Sequence, residues 1–173
     1  MKPLKEKLLK YFPNNFYEKD CKERMLAFLE KHPDCFLRSC LTGHFTASAW
    51  VLNPSKTHVL LLHHKKLGDW FQLGGHCDGD PDVLAVAIKE AQEESGILDI
   101  VPLSEDIFDI DIHTIPPYHE NLQHEHLDIR FLLMANTEKF TQNDESHALR
   151  WFHKDDQGFP SSVKRMVDKW RLF

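Results

Sequence analysis

Glu90, Glu93 and Glu94 fall within about one helical turn of a segment that opens on Gly74-Gly75-His76 and closes on Gly96-Ile97. At about 100° per residue the three carboxylates share one arc of a helix, apart from the stripe of Leu84, Ala87, Ile88 and Ala91 that would face a core. Like charges at this spacing repel by about 0.2–0.5 kcal/mol per i,i+4 pair, and near a helix C-terminus they also oppose the dipole. The helix by itself gains nothing from them. The arc reads either as a solvated acidic face or as a set of hard oxygen ligands. Mg²⁺ in particular is held by a few carboxylates together with water and substrate phosphates.

The helix that must present these groups has punctuation at both ends. Asp80 is placed to cap its N-terminus, Pro81 then takes the first helical position, and Gly96 suits the residue just past its end. Gly74 and Gly75 precede it and let the backbone approach an ion closely.

Residues 75–97 resemble the Nudix box, G-x5-E-x7-R-E-U-x-E-E-x-G-U with U aliphatic. Gly75 takes the first position, Glu90 the first glutamate of the core, Glu93 and Glu94 the paired glutamates, Gly96 the last glycine and Ile97 the closing aliphatic. Pro81 stands in place of the early glutamate and Lys89 in place of the arginine, so both partners of one bracing ion pair are changed together. Ala91 is small for an aliphatic position. The resemblance covers about residues 43–155. It implies an α/β/α sandwich with a mixed β-sheet and the box helix beside it.

The resemblance also implies an activity. That activity is metal-dependent hydrolysis of a pyrophosphate bond in a nucleoside diphosphate linked to another moiety, by water attack on phosphorus with Mg²⁺ or Mn²⁺. By the same resemblance Glu93 and Glu94 are direct metal ligands, Glu90 is a ligand or the group that orients and deprotonates water, and the Gly74 carbonyl is a further ligand. Because the general base in the family can come from a loop outside the box, Glu145 is a second candidate for that role. Two other readings share the fold. An isoprenoid-diphosphate isomerase would need a catalytic cysteine and glutamate beyond the box, and nothing around Cys35 or Cys40 marks either thiol as one. A non-catalytic binding module is disfavoured by retention of all three glutamates.

Twelve histidines raise a second chemistry. On a strand His124 and His126 point the same way, as a metal pair requires, with His113 and His119 near in sequence. Zinc usually takes four ligands, and a third and fourth are not named by spacing alone. The alternative is that histidines bond substrate phosphates or fill polar gaps, and His76 and His126 are the candidate substrate contacts. Arg130 has a planar fork suited to two phosphate oxygens, and equally suited to an ion pair with Asp128 or Asp111. Cys77, inside the glycine loop, lacks a clear base partner and reads as a spectator.

The elements around these residues follow from periodicity. Helices are expected over 4–12 and 16–31, the second with Cys21, Met25, Phe28 and Leu29 on one side and Pro33 beyond its end. Strands are expected over 45–52, 59–64, 70–73, 107–115, 126–135 and 149–152, and a closing helix over 162–170. In 107–115, Phe108, Ile110 and Ile112 should be core and Asp109, Asp111 and His113 wet. Loops are expected over 116–123 and 141–146. Residues 1–39 read as a helical extension packed on the core, and 40–173 as one Nudix-type globular unit.

A 173-residue chain with 42% hydrophobic and 28% charged residues fits one globular domain. Its net charge of −6 gives little electrostatic support for nucleic acid, so the expected partner is a small diphosphate and not DNA. No segment has the apolar length to span a bilayer, so no membrane partner is expected. Cys21, Cys35, Cys40 and Cys77 show no C-x-x-C pairing and no apolar leader precedes them, so reduced thiols in a cytoplasm are expected. A homodimer fits these features as well as a monomer does.

Overall fold

The computed structural model describes residues 2–65, 68–117, 122–141 and 146–172, without the side chains of 146 and 147. The chain begins with α1 (Lys2–Lys10) and α2 (Phe16–Lys31). Asn15 caps α2 by accepting from the Glu18 N–H, and Leu4, Leu8, Cys21, Met25 and Leu29 turn inward. Then come β1 (Gly43–Leu52), β2 (His58–His64), β3 (Trp70–Phe71) and β4 (Leu73–His76), followed by α3 (Val83–Ser95). The short β5 (Ile100–Pro102), β6 (Asp109–Ile115), β7 (His124–Ala135) and β8 (Ser146–His153) complete the strands, and α4 (Lys164–Trp170) closes the described chain behind a 3₁₀ turn.

The strands form one mixed sheet. β1 runs parallel to β7 and antiparallel to β2 and β4, β7 also carries β5 and β6, and β2 carries β3 and β8. Every residue of β1 is buried, because both faces of the sheet are covered. Phe45, Ala47, Ala49 and Val51 join the core with α1, α2 and α3, whereas Trp50 and Leu52 pack with Val163, Met166, Val167 and Trp170 of the closing segment. The alternation of 45–52 is therefore borne out as two buried faces in an α/β/α arrangement. β5 has three residues, too few for a period to show. Among the described residues no helix is long and apolar enough to cross a membrane.

The wet face expected for β6 is reversed at Asp109, which is fully buried. Arg130 Nη1, Arg165 Nη2 and Lys169 Nζ lie 2.9, 2.8 and 2.6 Å from its carboxylate oxygens. Burial alone would raise Asp109's pKa, but Arg165 and the other two cations win and hold it below the ordinary carboxylate range. The network reaches the N-terminal helices. Buried Glu18 of α2 lies 3.1 Å from Lys169, and Tyr11 donates to Glu18 at 2.7 Å. A buried charge survives only when paired and hydrogen-bonded. These contacts therefore tie α2, β6, β7 and α4 together, where local sequence showed only alternating polar residues.

Candidate metal and phosphate site

α3 ends at Gly96, left-handed with φ 68°, as its sequence implies. Its start differs from the expectation. Asp82 is the N-cap, accepting from Ala85 N–H at 3.1 Å, and Pro81 lies outside the helix. The reason is the preceding turn, in which Asp80 N–H donates to the Cys77 carbonyl and the Asp80 carboxylate accepts from Asp82 N–H. Asp80 is thus spent on the turn. Arg38 clasps the same loop, donating from Nε and Nη2 to the two Asp78 oxygens at 2.6 and 2.8 Å. Sequence reasoning missed this brace, since Arg38 is far from the loop in the chain and belongs to no motif.

β4 lies beside β1 with Gly74 opposite Ser48 and Gly75 opposite Ala47. A Cβ on Gly74 would sit 2.5 Å from Ser48 Oγ and 2.6 Å from the Ala47 carbonyl. A Cβ on Gly75 would collide with the Glu90 carboxylate. Gly74 therefore has no room for a side chain against β1, and a side chain at Gly75 would displace the Glu90 carboxylate. Glu94 Oε2 accepts from the Gly74 N–H at 2.9 Å. Lys89 Nζ stands 3.5 Å from Glu90 Oε1 and 3.6 Å from Glu93 Oε1, so these two carboxylates can face one cation. Glu90 is the more enclosed, with its side chain 19% exposed against 58% for Glu93, and burial raises its pKa. The donors are carboxylates beside a strand whose Gly74 carbonyl lies in the same stretch. Such oxygen donors fit Mg²⁺ or Mn²⁺.

The other sequence candidates separate. Arg130 is buried, and its three nitrogens donate to Asp128 at 2.7 Å, Asp109 at 2.9 Å and Asp111 at 3.0 Å. Its fork is therefore engaged in the ion network, which corrects the phosphate-clamp reading. Asp128 also accepts from Thr46 and Ser48 hydroxyls at 2.9 and 2.8 Å, making the polar row of β7 a hydrogen-bonded interior wall. Glu145 and His119 lie outside the described residues. Cys77 is buried, and burial pushes its thiol up to about 12, consistent with a spectator.

His76 and His126 do come together, beside two rings that spacing did not link to them in full. Parallel pairing sets His44 opposite His126, and antiparallel pairing sets Thr46 opposite His76. Ring centres of His44 lie 5.1 Å from His76, 5.1 Å from His124 and 4.8 Å from His126. Burial first, then the neighbouring histidines, pushes His126 down to about 2, while burial, Arg38 and His44 bring His76 down to about 4. His76 and His126 are therefore uncharged at neutral pH.

The NUDIX domain model matches residues 42–168, most of the chain. No curated protein sequence matches it. Among solved structures, a NUDIX-family hydrolase from Clostridium perfringens is 24% identical over 75% of this chain and 97% of that one, with a TM-score of 0.53. A C. elegans Ap4A hydrolase is 17% identical over 75% and 96%, with a TM-score of 0.58. An ADP-ribose pyrophosphatase from Streptococcus suis is 23% identical over 74% and 87%, with a TM-score of 0.51. At these identities the likeness carries the fold.

Proposed function

This chain belongs to the NUDIX domain family, and from that premise we propose that it is a pyrophosphohydrolase that cleaves a nucleoside diphosphate linked to another moiety, with Mg²⁺ or Mn²⁺. The observation that carries the reading is the approach of Glu90 and Glu94 to the two glycines of β4, with Glu93 beside Glu90. Glu90 presses on Gly75, Glu94 holds the Gly74 N–H, and Glu93 shares with Glu90 the ammonium of Lys89.

In this reading Glu90, Glu93, Glu94 and the Gly74 carbonyl hold the metal. When bound, the ion neutralises phosphoryl oxygens and lowers the pKa of water. Glu94 anchors the strand at Gly74 by accepting from its N–H, which keeps the Glu94 carboxylate beside the glycine stretch. Glu90 either completes that ligand set or orients and deprotonates the attacking water, and burial raises its pKa. Glu145 stays a second candidate for that base. His76, immediately past Gly75 at the end of β4, is the substrate contact of this reading when its nitrogens are not engaged by an ion.

Residues 1–39 act in the same reading as an extension packed on the Nudix unit of 40–173, supported by the 2.5 Å ion pair of Arg24 with Glu125 and the Glu18 network. Four free, buried cysteines suit a reducing cytoplasm. The test is a panel of nucleoside diphosphate derivatives assayed with Mg²⁺, with Mn²⁺ and in excess chelator, in ¹⁸O-labelled water. Divalent-dependent cleavage with label in a phosphate product is expected. Turnover undiminished by chelator, or absence of turnover across the panel with either ion, would overturn the reading.

A further inference from the structure

We propose that His44, His124 and His126, with His76 as the fourth ring, form a binding site for a zinc-class ion, distinct in ligand chemistry from the glutamates of α3. The inference goes beyond the pyrophosphohydrolase reading and does not depend on it. Three strands supply the four rings: β1 brings His44, β7 brings His124 and His126, and β4 brings His76. One ligand nitrogen from each of His44, His124 and His126 lies within 4.8 Å of the others.

The spacing suits such an ion. Around a tetrahedral Zn²⁺, with Zn–N near 2.0–2.1 Å and each ring centre about 1.1 Å behind its nitrogen, ring centres stand about 5 Å apart. The observed separations are 5.1 Å for His44–His76, 5.1 Å for His44–His124, 4.8 Å for His44–His126, 4.9 Å for His76–His126 and 5.2 Å for His124–His126. Ligand nitrogens on one Zn²⁺ are about 3.3 Å apart, so side-chain rotations on the order of 1 Å bring those of His44, His124 and His126 onto one ion.

A second observation points the same way. His44 is 3% exposed, and among the described residues neither of its ring nitrogens makes a hydrogen bond of normal geometry, its one backbone hydrogen-bonding contact being a weaker one to Cys40. His126 Nε2 is likewise buried and unpartnered. Buried polar atoms are nearly always satisfied, and here the unsatisfied ones converge. His124 adds orientation. Its Nδ1 is 2.8 Å from the Leu122 carbonyl, which can only accept, so Nδ1 carries the proton and Nε2 keeps its lone pair for a metal. Imidazole donors favour zinc and its neighbours over Mg²⁺.

The test titrates Zn²⁺ into chelator-stripped protein in excess Mg²⁺, in competition with a chromophoric chelator, with Co²⁺ absorption as a report on nitrogen coordination. Wild type is expected to bind one Zn²⁺ per chain, and His124→Ala and His126→Ala to weaken it by at least about 100-fold, at or above the upper end of the loss caused by removing a partner of a ligand. Glu93→Gln should bind Zn²⁺ as wild type does. Circular dichroism establishes that each variant is folded. Should His126→Ala fail to fold, His124→Ala, at the start of its strand and partly exposed, decides the matter with the Co²⁺ spectrum. No stoichiometric Zn²⁺ in wild type overturns the proposal. So does equal affinity in folded histidine variants, or loss of Zn²⁺ only in Glu93→Gln.

Discussion

Replacing Glu94 by Gln keeps size and helix tendency while removing one charge beside Gly74. Two terms set the metal-free effect. The carboxylate accepts the Gly74 N–H at 2.9 Å. A hydrogen bond to a charged group contributes about 1.5–3 kcal/mol and a neutral one about 0.5–1.5, so the change costs about 1 kcal/mol. Relief of repulsion with Glu90 at i−4 returns about 0.2–0.5 kcal/mol. The variant in chelator should therefore be less stable by about 0.5–1 kcal/mol, a Tm drop of about 1–4 °C for a chain of this size. Mg²⁺ at about 100 times its Kd should stabilise wild type by a further ~2.7 kcal/mol and the variant by much less, widening the gap to about 6–14 °C. In the hydrolysis assay kcat should fall at least ~100-fold, or ~2.7 kcal/mol. Thermal melts with chelator and with saturating Mg²⁺, run beside that assay, read both quantities. Equal Mg²⁺-induced shifts in the two proteins, with an unchanged rate, would refute a metal role for Glu94.

Gly75→Ala should leave the protein folded while displacing Glu90, raising the Mg²⁺ concentration needed for half-maximal activity by about 10–100-fold in a metal titration of rate. Asp109→Asn strips the shared partner from Arg130, Arg165 and Lys169 and should cost about 3–5 kcal/mol in urea unfolding, with a cost below 1 kcal/mol counting against the network. Asp109 and Asp111 have folded pKa values below their ordinary 3.8, because Arg165, Arg130 and Lys169 around Asp109, and the His113 hydrogen bond with Arg130 and Arg165 around Asp111, outweigh burial. Their stabilisation is complete above that value and is lost as pH falls below it toward their folded values, so unfolding free energy should decline with acid there, and less steeply in Asp109→Asn. Pro81→Glu with Lys89→Arg should change Tm more than kcat, since Pro81 is exposed outside α3 and neither side chain is argued to touch phosphorus. A loss beyond ~100-fold with normal folding would place one of them in the chemistry.

Local chemistry made α3 legible. The spacing of Glu90, Glu93 and Glu94 and the Gly96 stop are properties of one helix, and the structure repeats them, whereas the buried side runs through Val83, Val86, Ala87 and Ala91 with Leu84 and Ile88 only half-buried. The same holds for the alternation along β1 and for both N-terminal helices, because period and capping act over a few residues. The N-cap was misread at Asp80, since Asp80 and Asp82 are both good caps and only the turn back to Cys77 chooses between them.

What local chemistry does not contain is which strands become neighbours. The amino-acid sequence alone determined the acidic face, the glycine strand and the family they resemble. Tertiary structure decided that Asp109 is interior, that Arg130 serves three aspartates instead of a phosphate, and that His44 meets His124, His126 and His76. Those outcomes depend on sheet pairing between segments distant in the chain, where register fixes which side chains meet. A polar residue on a strand carries the same local pattern whether it faces water or three buried cations. Its partners alone determine the difference.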